Sequence, residues 1–146
     1  MSRAVLLSLA ALGCLLLVGA PNAYAVKSCP NQQAGTPGPW FVLFDIGSTR
    51  INADGMNQIK EAAKRIHDLY IRKVCLLGKA DKQGNAGYNM ELSVRRSEAV
   101  AAALEHEGVD PGVISVVGKG DAYGDWFNTM FLNEPQDRSV KIMLTR

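Results

Sequence analysis

Short runs rich in β-forming residues alternate along this chain with segments whose apolar residues return every three or four positions, and that alternation leaves few folds open. WFVLFD, Trp40 to Asp45, reads as a strand. Beyond it, Met56, Ile59, Ala63, Ile66 and Tyr70 recur at helical spacing. They predict an amphipathic helix of roughly four to five turns, with Asn52 as its N-cap. IRKVCLL, residues 71–77, is a second strand, and YNMELSVRRSEAVAAALEHEG a second helix with Gly108 as its stop. GVISVVG and SVKIMLTR read as the third and last strands. The order β-α-β-α-β, a loop, then β fits an α/β fold: a βαβαβ-β two-layer sandwich with the helices packed on one face of a mixed sheet.

The first residues stand outside that pattern. MSRAVLLSLAALGCLLLVGAPNAYA has a basic residue at Arg3, an apolar run from Ala4 to about Ala20, and the small-x-small site Ala23-Tyr24-Ala25. This is the pattern of a secretory signal peptide, residues 1–25, cleaved after Ala25. An uncleaved membrane anchor fits less well, because Ser8, Gly13 and Gly19 interrupt a run already short for a span. Lipid attachment at Cys14 fits less well again, since apolar residues continue after it. Residues 26–39 are polar and rich in Pro and Gly, which predicts a short tether, and residues 40–146 are left as one domain. Export sets an oxidising context for the two remaining cysteines, Cys29 and Cys75. Either they form a disulfide that pins the tether to the domain, or Cys75 is a small buried hydrophobe inside its strand.

Charge and motifs narrow the function. The chain has 16 Lys and Arg against 14 Asp and Glu, and the leader holds one of the basic residues, so the exported part carries a net +1. A balance so near neutral gives no sign of a polybasic nucleic-acid surface or an anionic-membrane patch. His67 and His106 lack a neighbouring Cys, His or carboxylate spacing that would build a metal site. Nucleophile elbows, phosphate loops and metalloprotease helices are missing too, so the chain reads as a non-enzyme without a cofactor.

The informative residues are two adjacent arginines. Leu92, Arg96, Val100 and Leu104, with Ala103, share one helix face, so Arg96 sits in the apolar stripe. Arg95 lies about 100° away, with Glu91 and Glu98 as ordinary surface partners. A guanidinium facing the sheet edge keeps its proton and needs an anion nearby. The carboxylate in the adjoining loop is Asp81, just past the C-terminal end of the second strand, where α/β sheets commonly place ligands. Asp81 and Arg96 either neutralise each other as a structural ion pair or stand apart so that a zwitterion bridges them. Such a ligand would give its ammonium to Asp81 and its carboxylate, bidentate, to Arg96. The residues alone leave both arrangements open.

Gly78, Asp81, Gly84, Tyr88, Asn89, Leu92, Ser93 and Arg96 fall in one register, with Phe44, Asp45 and Ser48 upstream and Gly118, Gly120, Arg138 and Val140 downstream. Together they resemble the signature of the OmpA-like C-terminal domain family, which includes peptidoglycan-associated lipoproteins and flagellar stator proteins. The likeness runs from about residue 40 to the C-terminus. It implies a sandwich that binds peptidoglycan non-covalently in the cell envelope, through the diaminopimelate residue of the stem peptide. Asp81 would take the ammonium and Arg96 the carboxylate, Asn89 would orient the site, and Ala80 and Tyr88 would complete it. The location implied is the periplasm, associated with the outer membrane or the cell wall.

The chain departs from the family pattern at several positions. Lys79-Ala80 stands in place of His-Thr, Asp137-Arg138-Ser139 in place of Asn-Arg-Arg, and Glu134 where arginine is frequent. A folded-back Lys79 would compete with the ligand's ammonium for Asp81. The alternative is an envelope structural or assembly protein that uses the same fold for protein contact, with a degenerate pocket. GDAYGDWFNTMFLNEP either packs over the core or exposes Trp126, Phe127 and Phe131 to an envelope protein partner.

Overall fold

The computed structural model describes Cys29 and residues 35–80, 84–121 and 135–145. The expectations for the leader, for Asp81 and for Trp126, Phe127 and Phe131 lie outside the described residues. Elements follow in the expected order: β1 Trp40–Leu43, α1 Ala53–Asp68, β2 Lys73–Ala80, α2 Ala86–His106, β3 Ile114–Asp121 and β4 Ser139–Thr145. Short 3₁₀ turns at Pro111–Val113 and Pro135–Arg138 lead into β3 and β4. Across the sheet the order is β1-β4-β2-β3. β2 and β3 are parallel, and β4 runs antiparallel to both β1 and β2. The sheet is therefore mixed, and the C-terminal ends of β1, β2 and β3 share one edge.

Local chemistry explains the helix boundaries. The side chain of Asn52, in extended backbone, accepts from the Gly55 N–H at 2.8 Å, and α1 buries Ile59, Ala62, Ala63 and Ile66. Complete burial of one such isoleucine contributes about 1.5–3 kcal/mol. Tyr70 does not extend this stripe. α1 ends at Asp68, where the Ile71 N–H bonds the Ile66 carbonyl at 3.0 Å and the Tyr70 N–H bonds that of His67 at 3.2 Å. This closure puts Tyr70 in left-handed backbone, φ 51°, and leaves it 84% exposed, while Ile71 turns inward to 5%. α2 begins two residues before the expected Tyr88, capped by Asn85, whose Oδ1 accepts from Gly87 N at 2.8 Å. β1 stops at Leu43, short of Asp45, and β2 continues past Leu77 to Ala80.

Strand alternation divides the sheet residues between two faces. Val74 and Leu76 of β2 with Val140, Ile142 and Leu144 of β4 join residues of both helices in the main core. Cys75, Val117 and Met143 point away from the helices and gather with Cys29 and Leu77. A disulfide joins Cys29 to Cys75, their Cα atoms 5.7 Å apart, and Cys75 is also buried. Cys29 is thus fastened to the sheet face away from the helices, where Cys75, Val117 and Met143 are buried.

Candidate functional site

Two glycines set the height of α2 above the sheet. Gly78 and Gly118 are partners across the β2–β3 pair. A Cβ on Gly78 would stand 2.9 Å from the carbonyl carbon of Ser93 and closer still to its oxygen and to Ser97 Oγ. At Gly118 a Cβ would lie 2.7 Å from Ser93 Oγ and 3.1 Å from Val94 N. The helix backbone therefore rests on bare strand backbone. Side-chain hydroxyls stitch the contact: Ser93 donates to the Met90 carbonyl at 2.7 Å and accepts from Gly120 N at 3.0 Å. Ser97 Oγ donates to the Val117 carbonyl at 3.3 Å. Gly120 adopts φ 59° beside the register shift in the β2–β3 pairing, after which Ala80 faces Asp121. These contacts fix the rotation of α2 and so the direction of Arg96, one turn further on.

Arg96 is fully buried. Its Nε donates to the Ser48 carbonyl at 2.9 Å, Nη1 to Lys79 at 3.1 Å and Nη2 to Asp45 at 2.9 Å. Its guanidinium carbon also lies 5.2 Å from the centre of the Phe44 ring. Three N–H groups thus go to carbonyl dipoles, which replace water around a cation that burial would otherwise penalise heavily. Two of those carbonyls come from the loop after β1 and one from the end of β2. Arg96 therefore ties two strand ends to α2. The loop is itself set by short bonds, Ser48 N to the Asp45 carbonyl at 3.1 Å and Arg50 N to Ser48 Oγ at 3.0 Å. Sequence reasoning found the arginine but missed these carbonyls; the match at Phe44, Asp45 and Ser48 was the signal for them.

The remaining candidates gather at the same end of the sheet. Asn89 and Ala80 are buried, and the Asn89 N–H bonds the Asn85 carbonyl at 3.0 Å. Tyr88 is half exposed on the first turn of α2, its hydroxyl 3.9 Å from where a Cβ on Gly47 would lie. Asp81 is outside the described residues, and with it the separation from Arg96. Because Gly78 faces Ser93, strand alternation sends the Lys79 side chain from the opposite face of the sheet. Arg95 pairs with Glu91 at 3.4 Å on the exposed face, an interaction of little energetic weight.

A buried, dipole-held cation at the C-terminal strand ends is an anion-recognition element or an internal tie, and kinship bears on the choice. Residues 43–128 match the model of the OmpA family. The chain belongs to the OmpA family. Over 103 residues it is 39% identical to the outer-membrane lipoprotein YfiB of Pseudomonas aeruginosa, covering 70% of this chain and 61% of that protein. It thus spans less than two thirds of that relative's length. Over 126 residues it is 26% identical to the peptidoglycan-associated lipoprotein of Agrobacterium fabrum, covering 80% of this chain and 71% of that one. The crystal structure of the peptidoglycan-associated lipoprotein from Burkholderia pseudomallei has the same fold. It aligns with a TM-score of 0.65 over 73% of this chain and 90% of that chain, at 23% identity. Among the described residues of this OmpA-family chain, no helix is long and apolar enough to cross a membrane.

Proposed function

We propose that this OmpA-family chain is an exported envelope protein that binds peptidoglycan non-covalently through diaminopimelate, with no catalytic step. The observation that carries the reading is Arg96: a permanent cation held by three carbonyls, inside a signature that matches the family in register from Gly78 onward. Arg96 takes the side-chain carboxylate of diaminopimelate, Asp81 the ammonium, and Asn89 with Tyr88 and Ala80 bounds the head group. Lysine lacks that carboxylate, so Arg96 discriminates between the two wall types. The secretory leader pattern and relatives named as outer-membrane and peptidoglycan-associated lipoproteins support a place in the periplasm, at the outer membrane or the wall.

One observation favours a second reading. Arg96 has no exposed surface, so a ligand reaches it only if a neighbour gives way. An internal clamp needs no such movement. In that reading the chain is a structural or assembly protein of the envelope, and the fold serves protein contact. Co-sedimentation with purified diaminopimelate-type wall, beside lysine-type wall, separates the two. Retention on the first alone, lost in a folded Asp81→Asn variant, supports ligand binding. A folded wild-type chain that stays in the supernatant with both walls supports the clamp.

A further inference from the structure

The sheet face away from the helices carries charge that the near-neutral total conceals. On β2, Val74, Leu76 and Gly78 turn toward the helices, which leaves Lys73 and Lys79 on the outer face with Cys75 and Leu77. β3 adds Lys119, since Gly118 faces Val94 and Val117 belongs to the outer cluster. β4 adds Lys141, whose amine lies 6.0 Å from the centre of the outward Phe41 ring. None of the other outward strand positions in 73–79, 115–119 and 139–145 is acidic. None of the four lysines is paired with a carboxylate among the described residues.

Strand register brings these charges together. Leu77 is opposite Lys141. Lys79 and Lys119 each follow the Gly78–Gly118 pair, at the register shift after which Ala80 faces Asp121, so both lie at one bulge between β2 and β3. Like charges gathered on one face repel one another, and an external anion relieves that repulsion. Beside them Phe41 and Leu43 are 39% and 41% exposed, large apolar side chains left in water on the edge strand β1. The disulfide brings the N-terminal tether to this same face at Cys29.

We propose that this face docks on an anionic phospholipid bilayer. Lys73, Lys79, Lys119 and Lys141 take headgroup charge while Phe41 and Leu43 enter the boundary between headgroups and acyl chains. The residue type argues for lipid over a protein partner. Protein interfaces favour arginine and are depleted in lysine, and all four cations here are lysines. Flexible lysine stems lie along apolar surface and present point charges to mobile headgroups. The Arg96 site is on the helix side of the sheet, so docking on lipid leaves it open to the wall.

The test uses protein recovered from the periplasm, its N-terminus read by mass spectrometry. Vesicles of phosphatidylglycerol mixed with phosphatidylcholine are compared with vesicles of phosphatidylcholine alone, at low and at high salt. Binding to the anionic vesicles at low salt that falls as salt rises is expected. Lys119→Gln with Lys141→Gln should weaken partitioning roughly 25-fold, about five-fold for each lysine. Phe41→Ser should weaken it further, and Lys60→Gln with Arg65→Gln, on the exposed side of α1, should leave it near wild type. Equal binding to both kinds of vesicle, or equal loss in the α1 control, overturns the proposal. So does capture by an acidic protein without any binding to vesicles.

Discussion

The Gly78 contact permits a sharp test of how α2 is seated. In Gly78→Ala the new methyl would overlap the Ser93 carbonyl, an atom of helix backbone that cannot rotate aside. Ordinary carbon–oxygen contact needs roughly 3.4 Å, so α2 must retreat by about 1 Å or the strand must sink, and overpacking of that kind costs about 1–3 kcal/mol. The retreat also stretches the Ser93–Gly120 and Ser97–Val117 hydrogen bonds, each contributing about 1 kcal/mol. Alanine loses less backbone entropy than glycine on folding, which returns about 0.4–1 kcal/mol. The clash wins, with a net loss of about 1–3 kcal/mol. Urea unfolding followed by circular dichroism reads it as a lower midpoint at unchanged slope. Gly118→Ala should cost somewhat less, because the helix backbone atom it meets, Val94 N, stands at 3.1 Å and the closer atoms belong to the Val94 and Ser93 side chains. Gly87→Ala, on the exposed first turn of α2, should be neutral or stabilising. A Gly78→Ala midpoint at or above wild type would refute the close seating of the helix.

Three further outcomes follow from the same geometry. Arg96→Met strands the carbonyls of Asp45, Ser48 and Lys79 without their donor and should cost about 3–5 kcal/mol; Arg96→Lys should recover only part, since one amine cannot span three directions, and equal stability of all three chains in urea would contradict the clamp. Replacing Cys29 and Cys75 by serine opens a link of sequence separation 46, a chain-entropy effect of about 4 kcal/mol at most; reductant should lower the wild-type midpoint by less than the double substitution does, because a reduced Cys75 stays an apolar thiol in its buried cluster. The Lys64 amine hydrogen-bonds Asp68 at 2.6 Å and holds its carboxyl below the usual aspartate range. A depressed folded value contributes stability above the unfolded value and loses it as pH falls through the folded one, so this small surface term fades only in acid. Lys64→Met should move the Asp68 titration, followed by carbon NMR, back up; an unmoved midpoint would assign the depression to another neighbour.

Periodicity made the layer order and the inward turn of Arg96 legible, because both depend on local spacing. Tyr70 misled the same rule. Its position is helical by spacing, but the backbone closes through Ile66 and His67 and hands the inward place to Ile71. The carbonyls of Asp45 and Ser48 were out of reach because they meet Arg96 across 51 and 48 residues. The lysine face was hidden for another reason. Net charge sums over the whole surface, and Lys73, Lys79, Lys119 and Lys141 share a face only once β4 is inserted between β1 and β2. Composition averages over the whole surface what topology gathers on one face.

The most direct measurement is the affinity of the folded chain for a stem peptide containing diaminopimelate, beside the same peptide with lysine, by calorimetry and amide NMR. We expect the diaminopimelate peptide to bind, to shift the amides of Ala80, Asn89 and Arg96, and to outbind the lysine peptide roughly 10- to 100-fold, the weight of one charge-assisted bidentate contact. Equal affinity for the two peptides, or no shift at those amides with either, would contradict recognition through Arg96.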